Sequence, residues 1–232
     1  MSEGASRCPH GLCDGSGFLY EEETNTARPC RCRAQRISRA RARSLSAVIP
    51  RRFRDAAWDR KPVVDIEPTT VRGVRTFAEH VGERLDDGDG LRFTGDIGTG
   101  KTTLAMLVSK AALEAGRSVA IYSVPRLLTT IRTTFNDDSA HSHAELLDKL
   151  AAVDLLHLDD LGAENSTPWV LEELYSIVNT RYEEKRSMVV TTNLEDEALA
   201  AQIGQRTVSR LAEMCWDVPV YGHDGRKHFD AA

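Results

Sequence analysis

The stretch GDIGTGKTT, Gly95 to Thr103, decides how the rest of the chain is read. It matches the pattern G-x-x-x-x-G-K-[ST], directly follows the apolar segment LRFT and directly precedes a helical segment starting near Thr103. Such a loop binds phosphate for a physical reason. Gly95, Gly98 and Gly100 let the backbone curl so that successive N–H groups point inward at phosphate oxygens, and the N-terminus of the following helix adds its dipole. Lys101 is expected to reach the β- and γ-phosphates, and the Thr102 hydroxyl to ligate Mg²⁺. The expected nucleotide-binding set is Gly95, Asp96, Ile97, Gly98, Thr99, Gly100, Lys101, Thr102 and Thr103, with the Asp96 carboxylate free to point outward from a variable position.

Outward from this loop, LRFTG, SVAIYSV, VDLLHLDD, SMVVTTN and DVPVYG read as short buried strands, rich in Val, Leu and Ile and ended by polar residues or Gly. Helices separate them. Leu104, Leu107, Val108 and Ala111 recur at i, i+3, i+4 and i+7, and Val170, Leu171, Leu174, Ile177 and Val178 give a second segment one apolar face. Strands alternating with helices predict an α/β fold, a five-stranded parallel sheet covered on both sides.

The second half of a phosphate site of this kind is a hydrophobic strand ending in carboxylates, and VDLLHLDD supplies Asp159 and Asp160. Asp159 is expected to hold Mg²⁺ through water, and Asp160 to orient or deprotonate an attacking water. One strand later, VVTTN ends in Asn193, which either contacts the γ-phosphate or the attacking water, or simply starts a turn.

Composition narrows the function classes. With 41% hydrophobic and 28% charged residues, and no apolar run near the roughly 18 residues of a membrane span, the chain reads as soluble. Its first residues, MSEGASRCPHGLCDG, lack the long apolar stretch of a secretory signal, which makes a reducing cytoplasm the expected location. Four of the five cysteines, Cys8, Cys13, Cys30 and Cys32, fall in the first 32 residues, while Cys215 stands apart as a candidate core residue. In a cytosolic protein that clustering points to metal, and four thiolates match tetrahedral Zn²⁺. His10 is an alternative to one thiolate. From Arg28 to Arg54 there are ten arginines and no Asp or Glu, although basic residues are outnumbered 30 to 35 overall. Such a run meets either nucleic-acid phosphates or an acidic protein surface. No N-K-x-D stretch follows the later strands to read guanine, and no L-S-G-G-Q-like segment precedes LLHLDD, which argues against GTPases and ABC transporter subunits.

The blocks IPRRFRDAAWD, GDIGTGKTTLA, LLHLDDLGAENSTPWVLEELYSIVNTRYE, VVTTNL and GQRTVSRL, in that order, resemble the P-loop NTPases of the AAA+ type. Within them the chain is similar to the DnaC/DnaI-type bacterial replicative helicase loaders and the related IstB transposition helpers. The resemblance implies ATP as the nucleotide, Asn193 as sensor 1, and Arg210 in TVSRL as an arginine finger completing a neighbouring subunit's site. Read alone, Arg210 would pass for a surface arginine. Catalysis in trans implies a homo-oligomer, or assembly on a partner, when ATP is hydrolysed to ADP and phosphate. The family also implies contact with single-stranded DNA, carried onto Arg132, Phe135, Thr167 and Trp169; for Phe135 and Trp169, packing of a helix end is the competing reading. Many DnaI-like loaders begin with a Cys-rich module ending in PCRCR-like sequence and use this region to grip the helicase, which supports the zinc reading.

The expected organisation is a Cys-rich zinc-binding module at 1–32, an Arg-rich helical connector at 33–60 and an AAA+ ATPase domain at 61–232, with the helical lid truncated or absent and Arg226 a weak candidate for a nucleotide contact. Asp160 in place of the commoner Glu shortens the reach of the second acid. The reading is an ATP-dependent loader of a replicative DNA helicase using ATP, Mg²⁺ and Zn²⁺, with no membrane partner. An IstB-like transposition helper and a nucleotide-dependent DNA-binding scaffold with negligible turnover are the alternatives.

Overall fold

The five segments read as buried strands pair into one sheet. A computed structural model of the chain describes residues 8, 10–21, 25–33, 49–134 and 140–222. Strands β1 (Phe18–Glu21) and β2 (Thr26–Pro29) form a separate antiparallel hairpin. Strands β3 (Gly90–Thr94), β4 (Val119–Ser123), β5 (Leu155–Leu161), β6 (Ser187–Thr192) and β7 (Cys215–Pro219) lie in the order β4-β5-β6-β3-β7, every neighbouring pair parallel.

Helices cover both faces. On one side α1 (Pro68–Glu79), α2 (Val81–Asp87) and α3 (Lys101–Glu114) bury Val74, Phe77, Leu85, Leu104 and Val108 against Leu91, Phe93, Leu155 and Val189. On the other, α4 (Val124–Thr134), α5 (Ala140–Ala152), α6 (Pro168–Glu183), α7 (Asp196–Ile203) and α8 (Gln205–Met214) bury Leu127, Leu150, Leu174, Leu199 and Leu211 against Leu156, Leu158, Met188 and Val190. Neighbours Leu155 and Leu156, like Val189 and Val190, thus serve opposite cores, the consequence of side chains alternating along a strand. This two-sided demand explains why these strands are continuous apolar runs. His157, on the same face as Leu155, is fully buried; its Nδ1 lies 2.9 Å from Ser109 Oγ on α3, and burial pushes its pKa down to about 3.

Local chemistry sets the element ends. Pro68 opens α1, and the Glu67 carboxylate caps it by accepting from Thr70 N at 2.8 Å and from the Thr69 hydroxyl. Thr167 caps α6 by accepting from Val170 N at 3.3 Å. The fully buried Arg181 on α6 has Nη1 on the carbonyls of Leu150, Ala151 and Val153, and Nη2 on those of Asp154 and Ser187. One guanidinium thereby caps the end of α5 and ties it to the start of β6. Burial, reinforced by Arg186, pulls its pKa down to about 9.

The only helical piece in residues 49–60 is a single 3-10 turn at Arg51–Phe53. Ala56 and Trp58, which the sequence reading assigned to the connector at 33–60, pack on the α1–α3 side of the core. Most of the arginine run, residues 34–48, lies outside the described residues, as do Phe135 and Arg226. Among the described residues no helix is long and apolar enough to cross a membrane.

Candidate nucleotide-binding site

The loop from Gly95 to Gly100 leaves the carboxyl end of β3, and α3 begins at Lys101, two residues earlier than the sequence suggested. Gly100 makes this abrupt start possible: its φ of 100° is left-handed, and a Cβ there would stand 2.8 Å from Ile66 Cδ1. At Gly95, φ is 127° and a Cβ would stand 2.3 Å from the Val220 carbonyl oxygen, so the chain just after β7 walls the loop. Val220 N donates to Thr94 O at 2.8 Å and holds that wall in place. Thr99 is buried, its hydroxyl donating to Asp96 O at 2.9 Å, whereas Asp96 and Ile97 are exposed. Lys101 is also buried, and its Nζ donates to the carbonyls of Gly95 at 2.7 Å and Asp96 at 2.5 Å. The ammonium therefore sits inside the curl of the loop.

Strand β5 brings its acids to the same end of the sheet. The Thr102 hydroxyl donates to Asp159 Oδ1 at 2.9 Å. Two hard oxygen donors thus stand side by side at the mouth of a phosphate loop, a donor set suited to Mg²⁺ when phosphates and water supply the remaining ligands. Between Leu158 and Leu161 the β5–β6 register shifts, and Asp160 adopts a left-handed φ of 59°. The irregularity parts the two acids: Asp159 is half-buried against Thr102, and Asp160 is exposed. Asn193, exposed, follows the end of β6 between β5 and β3. This is the crevice outside the carboxyl ends of parallel strands, where open α/β sheets bind ligands.

The remaining expected residues lie elsewhere. Arg210 is on α8, its guanidinium 4.2 Å from the centroid of the Tyr182 ring and 3.6 Å from Glu213, while the Tyr182 hydroxyl donates to Glu213 Oε2 at 2.6 Å. Arg132, on α4, lies 4.8 Å from the ring centroid of Trp169, on α6. Thr167 accompanies them as the α6 cap.

In the N-terminal module the hairpin gathers Cys8, Cys13, Cys30 and Cys32, whose sulfurs all lie within 4.8 Å of one another. Cys8 and Cys30 are 3.8 Å apart and Cys13 and Cys32 3.5 Å, close to the edge of about 3.8 Å that a tetrahedron of zinc–sulfur bonds of about 2.3 Å requires. No disulfide joins them. Burial opposes ionisation of Cys8, but backbone N–H groups of Cys13, Leu12 and His10 outweigh it and hold the thiol down at about 6. Cys32, buried and then crowded by the sulfurs of Cys13, Cys30 and Cys8, is pushed up to about 12. Four sulfurs gathered this closely, with no disulfide between them, fit a site for a divalent cation. The His10 side chain is not part of the cluster.

Two residues were not singled out from sequence. Thr191, in the Val-rich stretch MVVTT, reads there as a β-branched strand former; its hydroxyl in fact donates to Asp159 Oδ1 at 2.7 Å and accepts from Asp160 N at 2.9 Å. Glu164, in a segment that reads as a loop, is buried, with a pKa raised by that burial. Its Oε2 accepts from Gly162 N at 3.0 Å, and its carbonyl accepts from the Gln202 side chain on α7. A hydroxyl two residues before a polar strand end was the available signal for Thr191; Glu164 had none.

A family model described as IstB-like ATP binding protein matches residues 33–228. The chain is 33% identical over 119 residues to the replicative helicase loader DnaC of Buchnera aphidicola subsp. Baizongia pistaciae (strain Bp), a match covering 51% of this chain and 48% of that one. It spans about half the length of the curated relatives it matches. Its fold is similar to the crystal structure of the DnaC helicase loader, with a TM-score of 0.65 at 25% identity, covering 74% of this chain and 100% of that one. The replication initiator DnaA bound to AMPPCP and single-stranded DNA shares the fold, with a TM-score of 0.58 at 20% identity over 67% of this chain and 46% of that one.

Proposed function

Because the chain belongs to the IstB-like ATP-binding protein family, we propose that it is an ATP-dependent loader of a ring-shaped replicative DNA helicase, hydrolysing ATP in an assembled state. The observation that carries the nucleotide part is the convergence of Lys101, Thr102 and Asp159 at one mouth, with Thr102 and Asp159 2.9 Å apart. The loader part draws support from relatives that bear that name, from the pairing of Arg132 with Trp169, and from the cysteine cluster.

The loop N–H groups and Lys101 bind the phosphates. Thr102 and Asp159 are the residues to hold Mg²⁺, whose chemistry there is to neutralise phosphate charge. Asp160, exposed at the strand end, takes the proton of the attacking water, and Asn193 orients that water from the next strand. Arg210 acts on a neighbouring copy's phosphates, which makes turnover conditional on assembly. Cys8, Cys13, Cys30 and Cys32 hold Zn²⁺ as a structural ion, and the module they brace grips the helicase.

Co-purification with the host's replicative helicase in the presence of ATP tests the proposal. Retention is expected; failure to bind with ATP present overturns the loader reading. A second reading, an IstB-like transposition helper, is kept because the matching family model is the IstB-like one. Steady-state ATPase rates with and without single-stranded DNA separate a motor from a scaffold with negligible turnover.

A further inference from the structure

Resting on the turnover proposed above, we infer that Thr191 is a positioning residue for the two acids of the site. Its side chain is 1% exposed on β6, and its one hydroxyl has two partners. Because an ionised carboxylate only accepts and a backbone N–H only donates, the directions are fixed: the Thr191 hydroxyl gives its proton to Asp159 Oδ1 at 2.7 Å and receives the Asp160 N–H at 2.9 Å.

The position of this hydroxyl explains why it is needed. Strand β5 loses its regular register with β6 between Leu158 and Leu161, where Asp160 turns left-handed. A backbone N–H freed from its ladder in a part-buried strand needs another acceptor. Thr191 provides one from the neighbouring strand and, with the same oxygen, holds Asp159 Oδ1, the atom to which the Thr102 hydroxyl also donates at 2.9 Å. Two residues further along the same segment stands Asn193. Thr191 thereby joins the carboxylate of the first acid, the backbone of the second and the strand that carries the polar group after them.

Packing alone does not ask for this hydroxyl. The preceding residues Met188, Val189 and Val190 are wholly buried and apolar, and Val has the shape of Thr. A Val at 191 would fill the volume and leave the Asp160 N–H without its partner.

The test compares the wild-type chain with Thr191→Val, which keeps the shape, and Thr191→Ser, which keeps the hydroxyl. Two quantities are read: the affinity for a fluorescent ATP analogue in Mg²⁺ and in EDTA, and kcat and KM as functions of Mg²⁺ concentration. In EDTA all three proteins should bind alike. In Mg²⁺ the Val variant should lose about tenfold or more of the metal-dependent gain in affinity and of kcat, the range expected when a group supporting a metal ligand is removed, while Ser stays near wild type. The inference is overturned if Val keeps the wild-type Mg²⁺ response and kcat, or if Ser falls as far as Val. Should the Val variant not fold, Thr191→Ala read against Thr191→Ser isolates the same hydroxyl. A wild-type chain with no turnover, alone or with single-stranded DNA, removes the motor reading. The Mg²⁺-dependence of binding then still decides on Thr191.

Discussion

The guanidinium carbon of Arg132 lies 4.8 Å from the centroid of the Trp169 ring, two residues drawn from helices that adjoin only in the folded chain. Trp169 is partly buried and packs against the core, as the competing reading of a helix end has it, so on the proposed function only its open part, with Arg132, would meet a base. Trp169→Ala should weaken oligo-dT binding by roughly five- to 150-fold, since a stacked base contributes about 1–3 kcal/mol. Arg132→Ala should weaken it less and reduce its salt dependence by about one contacted phosphate. Fluorescence anisotropy measures both, with circular dichroism confirming the fold; unchanged affinity sinks the assignment.

Arg210→Ala and Lys101→Ala chains should each be inactive alone, with turnover lowered on the order of 10³-fold. Mixed, they should recover part of the activity, because an interface that joins an intact loop to an intact finger re-forms one complete site. No recovery in the mixture would count against action in trans.

The cysteine cluster should carry about one Zn²⁺ per chain by native mass spectrometry. Cys30→Ser should lower that content and make the N-terminal module protease-sensitive, with nucleotide binding unaffected. A zinc-free chain indifferent to chelator would overturn the assignment.

Hydrogen bonds from the Thr69 hydroxyl, and then from the backbone N–H groups of Thr70 and Thr69, hold Glu67 down at about 2 from its ordinary 4.5. Between these values the unfolded chain binds more protons than the folded one, so this contribution is complete above about pH 4.5 and lost as pH falls through 2. Glu67→Ala should therefore lower the melting temperature at pH 6, and the gap to wild type should narrow as the pH approaches 2.5. A gap independent of pH would show that the cap does not act through its charge.

Arg181→Met should destabilise the domain by about 3 kcal/mol or more, because it strips donors from several buried carbonyls at once. Arg181→Lys should recover only part of the loss, since a point ammonium cannot span the carbonyls of Leu150 and Ser187 as a planar fork does. Urea midpoints read both.

Strands β3, β5 and β6 were legible because they are buried on two faces and so carry a largely apolar run; β7, also read as buried, is instead a mostly exposed edge strand, CWDVP, broken by Asp217. That Lys101, Thr102 and Asp159 would come to one end of the sheet was legible because the loop joins β3 to α3 and Asp159 closes the apolar run of β5. The β1–β2 hairpin was not: FLYE and TARP are exposed or partly so, and Pro29 is a poor strand former, so its order is set by the cysteines rather than by a core. Arg181 was hidden for the opposite reason. In NTRYEEKR it looks like one more solvated charge, and only the meeting of α5 with β6 shows that it is wholly enclosed. Thr191 was camouflaged by shape, since Thr and Val are interchangeable in a strand until a hydrogen-bond partner is known.

Lys101 stands in its own loop on the carbonyls of Gly95 and Asp96. An ammonium carries three N–H donors, so two carbonyls do not exhaust it; they fix the direction of the cation that a phosphate would meet on the proposed function. The aim of that cation is therefore set from outside the loop as well: Val220, whose carbonyl stands against Gly95, would redirect the ammonium if it moved, without touching a ligand.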